Sequence, residues 1–173
     1  QEIVNLHGLG DFFTDVANRA LPSEGVFYVR GGYNNTDGLK PLDPNPAVQA
    51  AFAGNDDHPA YSDSQISEAL LADEINAIAM SPYWKDSAIV ITYDETSGNY
   101  DHKAFSPRNY SPDGGAYAGS QRIPAIVISP YGMAHAAVHD YAEHSTVIKF
   151  INNLFGLTPL GDLPDEAAAL AAG

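Results

Sequence analysis

The chain has 173 residues, of which 45% are apolar and 17% charged, with a formal net charge of −14 and no cysteine. That length suits one domain with a real core, and the composition is globular rather than disordered. Disulfides and thiolate metal sites are excluded, nucleic acid and anionic lipid surfaces would be repelled, and no apolar run approaches the roughly 18–20 residues of a membrane span. A phosphate-bearing substrate stays compatible, provided a cation or local positive groups neutralise it. The opening QEIVNLHGLG has no initiator Met, no basic region and no apolar core of a leader. It fits a mature N-terminus, an expression boundary or a cleavage product equally well.

The segment 10–21, GDFFTDVANRAL, places Phe12, Phe13, Val16, Ala17 and Ala20 on one helical face, with Pro22 closing it. GVFYV at 25–29 reads as a short strand. About thirty residues rich in Gly, Pro, Asn and Asp follow without periodicity, as in a functional or mobile loop, and end in NDDHPAYSD. The clearest helix is predicted within 64–80, where Leu71, Ile75, Ile78 and Ala79 align and Glu68, Asp73 and Asn76 lie off that line. Asp63 or Ser64 can cap its start, and Ser81-Pro82 ends it. SAIVITY at 87–93 and IPAIVISPY at 123–131 are continuous apolar runs, which suit strands buried on both faces of a parallel sheet. A second long loop, 96–122, lies between them. EHSTVIKFINNLFG at 143–156 is amphipathic through Val147, Ile148, Ile151, Leu154 and Phe155, with Gly156 as its natural stop. The acidic, Ala-rich tail 161–173 reads as a frayed helix or packing arm. This order predicts an α/β layer fold, though three or four strands make a thin sheet with one poorly covered face.

The chemistry-bearing residues gather around ITYDETSGNYDH at 91–102. Ligands collect at the carboxyl ends of strands in α/β sheets, and Asp94 and Glu95 sit at such an end. Two readings stand open: an ordinary solvated loop start, or oxygen ligands for a hard divalent cation. His58 in DDHP and His102 after Asp101 each adjoin carboxylates, which favours a cationic ring suited to a phosphate oxygen; the alternative is a surface histidine paired with its neighbour. His144, at the start of the last helix, could hold an anion, bind a metal or cap the helix. His7, His135 and His139 read as surface residues. The i, i+4 spacing of the last two lacks a helix to make it a zinc pair. Ser62, Ser64, Ser97 and Ser145 are nucleophiles by type only, because the chain has no G-x-S-x-G, P-loop or H-E-x-x-H pattern.

Four ordered blocks, DDHPAYSD, SPYWKDSAIVITYDETSGNYDH, RIPAIVISPYG and HSTVIKFINNLFGLTPL, resemble a bacterial phosphoesterase family. That family contains phospholipases C of the non-haemolytic type and related acid phosphatases, within the alkaline phosphatase superfamily. The resemblance runs from about Gly10 to Leu160. It implies an α/β fold, part of an alkaline-phosphatase-like sandwich with a central, mostly parallel sheet flanked by helices. It also implies a metal-dependent phosphoric ester hydrolase acting on a phosphate ester or phospholipid. Asp94 and Glu95 match the acidic pair that ligates a divalent metal ion in that family. His58 matches the histidine facing the substrate phosphate, His102 the Asp-His after the metal pair, and His144 the histidine of the His-Thr-Ser element.

Thr96-Ser97-Gly98 replaces the usual Trp or His followed by Gly-Gly, and Ser145-Thr146 replaces Thr-Ser. The family's Glu-Asn-Arg-Ser-Phe-Asp-type element and its Ser or Thr nucleophile are not among these residues. Residues 1–173 are therefore expected to be the C-terminal portion of a catalytic domain. The N-terminal half would be a separate chain or a missing segment, and the location secreted or periplasmic. The rival expectations are a non-catalytic fragment or binding module that keeps a metal or phosphate pocket, and a purely structural domain with a solvated acidic pair.

Overall fold

A computed structural model describes residues 5–35, 38–51, 54–96, 98–104, 109–110, 112–117 and 121–158. The chain divides into two compact units: Gln1–Asp101 with Arg122–Gly132, and His102–Gln121 with Met133–Gly173. The tail 161–173 lies outside the described residues.

In the first unit, α1 spans Leu9–Asn18. The Gly8 N–H donates to Asp11 Oδ2 at 2.9 Å, which places an acidic group on the helix's positive end. The helix stops before Pro22. Arg19 takes the left-handed conformation (φ 57°), and the Ala20 N–H returns to the Asp15 carbonyl at 2.8 Å. Phe12 and Phe13 meet edge to face at 5.3 Å, and Val16 is buried. A short α2, Pro46–Ala51, occupies part of the stretch expected to be irregular. The segment 25–29 has no ladder partner among the described residues, and Val26, Phe27 and Tyr28 are exposed, so it is not the predicted strand.

Helix α3 spans Ser64–Ala79 and is capped as expected, Asp63 accepting the Gln65 N–H at 2.7 Å. Its deepest residues are Ile66 and Leu70, one face over from the predicted line. Leu71, Ile75, Ile78 and Ala79 are half-buried, while Glu68, Asp73 and Asn76 are exposed as expected. A 3-10 turn at Trp84–Asp86 leads into the sheet, and Tyr83 Oη donates to the Leu21 carbonyl at 3.2 Å, tying the exit of α3 to the chain after α1.

The sheet of this unit joins β1, Ile89–Thr92, to a strand at Ala125–Ile128, numbered β4 in chain order. They pair antiparallel, Ile89 opposite Ile128 and Thr92 opposite Ala125. Hydrogen bonds close both ends: Ser129 Oγ to the Ser87 carbonyl at 2.9 Å, and Thr92 Oγ1 to the Pro124 carbonyl at 3.1 Å. Mixed helix and strand is thus observed, but the two apolar runs expected in a parallel sheet run antiparallel to each other. The physical reason shows in their surroundings. Parallel sheets come covered on both faces, whereas Val90, Ile126 and Val127 are exposed here.

In the second unit, β2 (Asn109–Tyr110) and β3 (Ala116–Tyr117) form an antiparallel hairpin inside the predicted loop 96–122. Gly114, with φ at 87°, supplies the left-handed turn residue. Helix α4 spans His144–Phe155, close to the predicted bounds, and ends on left-handed Gly156. Val147 and Ile151 are half-buried, but Ile148, Leu154 and Phe155 of the expected apolar face are exposed.

Candidate functional site

The loop carrying His58 is set by a close backbone crossing. The Asn55 N–H donates to the Gly32 carbonyl at 3.1 Å, and the Gly32 N–H donates back to Asn55 Oδ1 at 2.9 Å. Asn55 is 2% exposed, and a Cβ on Gly31 would lie 2.3 Å from its carbonyl oxygen, so only glycine fits there. Past this crossing, Asp56, Asp57 and His58 emerge half-buried. The His58 carbonyl then accepts the Tyr61 N–H at 3.4 Å and the Ser62 N–H at 3.1 Å, closing a tight turn that begins over Pro59 and Ala60. The turn stacks the His58 and Tyr61 rings at 4.2 Å, 10° from parallel. Tyr61 also meets Tyr33 at 4.6 Å and donates to Asp56 Oδ2 at 3.3 Å, where Arg30 forms an ion pair at 3.5 Å. Desolvation first, and then the Asp56 charge, push the Tyr61 phenol up from its ordinary range.

Asp57 links this loop to its surroundings. Its Oδ1 accepts from Ser64 Oγ at 3.0 Å, at the start of α3, and its Oδ2 accepts from Tyr93 Oη at 2.5 Å, just past β1. The bond to Asp57 is the main reason the Tyr93 phenol is pushed up to about 12, with desolvation second. Tyr93 immediately precedes Asp94 and Glu95, both exposed. The predicted phosphate-facing histidine and the predicted acidic pair therefore belong to one unit, and a side-chain hydrogen bond joins the residues that precede them, Asp57 and Tyr93.

Two adjacent carboxylates suit a hard divalent cation by type. They are fewer than the six or more oxygens calcium takes, for example, and among the described residues no group of three or more His, Asp or Glu could hold a metal. Asp94 and Glu95 would thus need further oxygen ligands to hold a cation.

Of the five predicted site residues, His58, Asp94 and Glu95 belong to the first unit. His102 and His144 belong to the second unit; both are exposed, His102 in a bend and His144 as the first residue of α4. Asp101, which adjoins His102, is engaged by Arg122. The guanidinium binds it through Nη2 at 2.6 Å and Nε at 3.0 Å, and the Arg122 N–H adds a bond at 2.9 Å. The Asp101 side chain is 10% exposed, and this bidentate geometry raises the Arg122 pKa. At α4, Thr146 Oγ1 accepts the Glu143 N–H at 3.0 Å, so the Ser-Thr order puts a capping hydroxyl on the third helical residue.

His7, His135 and His139 are exposed, in keeping with their reading as surface residues. Ser62 Oγ bonds the Gly54 carbonyl and Ser67, and Ser64 Oγ bonds Asp57, which are structural roles; Ser97 lies outside the described residues. Sequence reasoning missed Tyr61, Tyr93, Arg30 and Arg122 as site neighbours. Only Tyr61 had a local signal, its i, i+3 spacing from His58 across a proline turn. The others pair over 21 to 36 residues of chain.

Comparisons with known proteins agree with the ordered blocks. The chain is 33% identical to non-specific phospholipase C6 of Arabidopsis thaliana over 90% of its length and 31% of the relative's. It is 28% identical to phospholipase C B of Mycobacterium tuberculosis over 85% of the chain and 27% of the relative. It is 31% identical to non-specific phospholipase C1 of Arabidopsis thaliana over 61% of the chain and 23% of the relative. The likeness therefore extends from bacteria to plants, and the chain spans about a quarter to a third of the length of these relatives. No solved structure matches. Residues 2–158 match the sequence pattern of the Phosphoesterase family, and the chain belongs to that family.

Proposed function

We propose that this chain is the C-terminal portion of a phosphoric ester hydrolase of phospholipase C or acid phosphatase type, and that it supplies part of the phosphate and metal site. The observation that carries the reading is the Tyr93–Asp57 hydrogen bond. It ties the His58 loop to the segment after β1 that bears Asp94 and Glu95, within one family-matched chain. In this reading His58 donates to a phosphate oxygen and offsets charge that develops in the transition state. His102 and His144 enter from the resemblance as further groups for charge neutralisation or protonation of the leaving alcohol. Asp94 and Glu95 contribute oxygen ligands to a divalent cation. Such a cation, when bound, stabilises phosphoryl oxygen charge and acidifies a bound hydroxyl.

The substrate would be a phosphate ester or a phospholipid. The nucleophile and the remaining metal ligands would come from the rest of a family-length protein, as a separate chain or a longer polypeptide. A secreted or periplasmic location completes the proposal. The family resemblance supports it, and no helix among the described residues is long and apolar enough to cross a membrane. Cell fractionation tests it.

A second reading is a non-catalytic fragment or binding module. It is favoured by the absence, among the described residues, of a group of three or more His, Asp or Glu that could hold a metal ion. The deciding experiment pairs intact mass and subunit composition with hydrolysis of p-nitrophenyl phosphate and phosphorylcholine, with and without chelator. Chelator-sensitive turnover by an assembly containing this chain is expected. Asp94→Asn should lower kcat/KM by at least about tenfold. Turnover indifferent to both chelator and Asp94→Asn would sink the metal assignment, and an inert single 18.4 kDa species would favour the binding module.

A further inference from the structure

We infer that Tyr61 is the positioning residue for His58, and that together with the Ala60 amide it presents the imidazole with Nε2–H as the donor offered to a phosphate oxygen. The ligand's identity rests on the phosphoesterase reading above; the geometry does not. A neutral imidazole has one donor and one acceptor nitrogen. The Ala60 N–H donates to His58 Nδ1 at 3.1 Å, so Nδ1 is the acceptor and the proton sits on Nε2. Pro59 has no N–H, which makes Ala60 the first following amide able to fill this role. Nε2 has no hydrogen-bond partner among the described residues.

A single amide bond leaves the ring free to swing about it. Tyr61 removes that freedom by lying face to face with the imidazole, 4.2 Å away and 10° from parallel. Tyr61 is itself fixed: its hydroxyl reaches Asp56 at 3.3 Å, its ring meets Tyr33 at 4.6 Å, and a Cβ on Gly54 would lie 2.8 Å from its Cδ2. The chain thus holds a donor in one orientation before any ligand arrives, which is how a site lowers the cost of organising itself around developing charge. Tyr61→Phe keeps the stack and loses only the bond to Asp56. Tyr61→Leu loses both.

The test is long-range proton–nitrogen correlation NMR of the histidine rings in the 15N-labelled chain, about two pH units above the ordinary histidine pKa of about 6.5. His58 is assigned by its loss in His58→Gln, and inorganic phosphate is then titrated in. The wild type should show His58 with an unprotonated Nδ1, a protonated Nε2 and ring protons shielded by the Tyr61 face, and phosphate should shift Nε2. Tyr61→Phe should preserve this pattern. Tyr61→Leu should lose the shielding, move toward the averaged signals of exposed His135 and His139, and need several-fold more phosphate for the same response. A wild-type His58 with its proton on Nδ1, or with unshielded ring protons, overturns the inference without any variant. So does a Tyr61→Leu spectrum that matches the wild type, and a wild-type Nε2 indifferent to phosphate overturns the donor role. Failure of the same sample to hydrolyse phosphate esters bears only on the phosphoesterase reading.

Discussion

Tyr93 shows how much of this site depends on single side chains. Its hydroxyl bonds Asp57 at 2.5 Å, and the pKa is pushed up to about 12, against about 10 for tyrosine in an unfolded chain. The folded state binds this proton more tightly, so its contribution to stability is fully present below about pH 10 and is lost as pH rises toward about 12. In chelator-treated protein, absorbance titration should show a late-ionising tyrosine that Tyr93→Phe removes, together with the extra loss of stability in that window. A wild type whose tyrosines all ionise near pH 10 would contradict the Tyr93–Asp57 bond. His58 and Asp94 were legible as candidates because each sits in a block of distinctive residues, DDHPAYSD and SPYWKDSAIVITYDETSGNYDH. Their connection was not, since Asp57 and Tyr93 are 36 residues apart and no periodicity spans that distance.

The helices carry their own instructions to different degrees. The start of α3 was readable because a cap is local: Asp63 needs only the amide two residues on. Asp63→Ala should cost about 1 kcal/mol in urea denaturation, and an unchanged midpoint would remove the cap from the account. The buried face was misplaced, because periodicity marks an apolar stripe but the neighbour decides which edge of it is covered. Here the neighbour is α1, and the groove between α1 and α3, of about 450 Å³, is lined by Phe13, Leu70, Ala77 and Met80 among others. Leu70, 3% exposed, should therefore cost about 2–5 kcal/mol when cut to alanine. Leu71→Ala, at a half-buried position, should cost clearly less. The reverse order would restore the predicted face.

At the scale of the molecule, the apolar surface left uncovered stands out. Val16, Ile66 and Leu70 are the buried hydrophobic residues among those described, whereas Ile126 and Val127 of β4 are 52% and 63% exposed. Relatives several times longer than the matched segment have ample chain to cover such a ribbon. Val127→Lys should change the stability of this chain by less than about 1 kcal/mol. In a family-length protein it should reduce the yield of soluble protein. A large loss of stability in the 173-residue chain would mean that β4 is already packed.

Family membership, the positions of α1, α3 and α4, and the two longer strands could be read from residue order, because caps, apolar spacing and β-branched runs act within a few residues of each other. The antiparallel pairing of β1 with β4, the bidentate Arg122–Asp101 contact and the Tyr93–Asp57 bond could not. Each depends on which distant segments the folded chain brings side by side, a choice governed by burial and loop closure rather than by local preference. The His58–Tyr61 stack lies between these cases. Its spacing is written in the sequence, but only the turn over Pro59 and the crossing at Gly31 and Asn55 bring the two rings face to face.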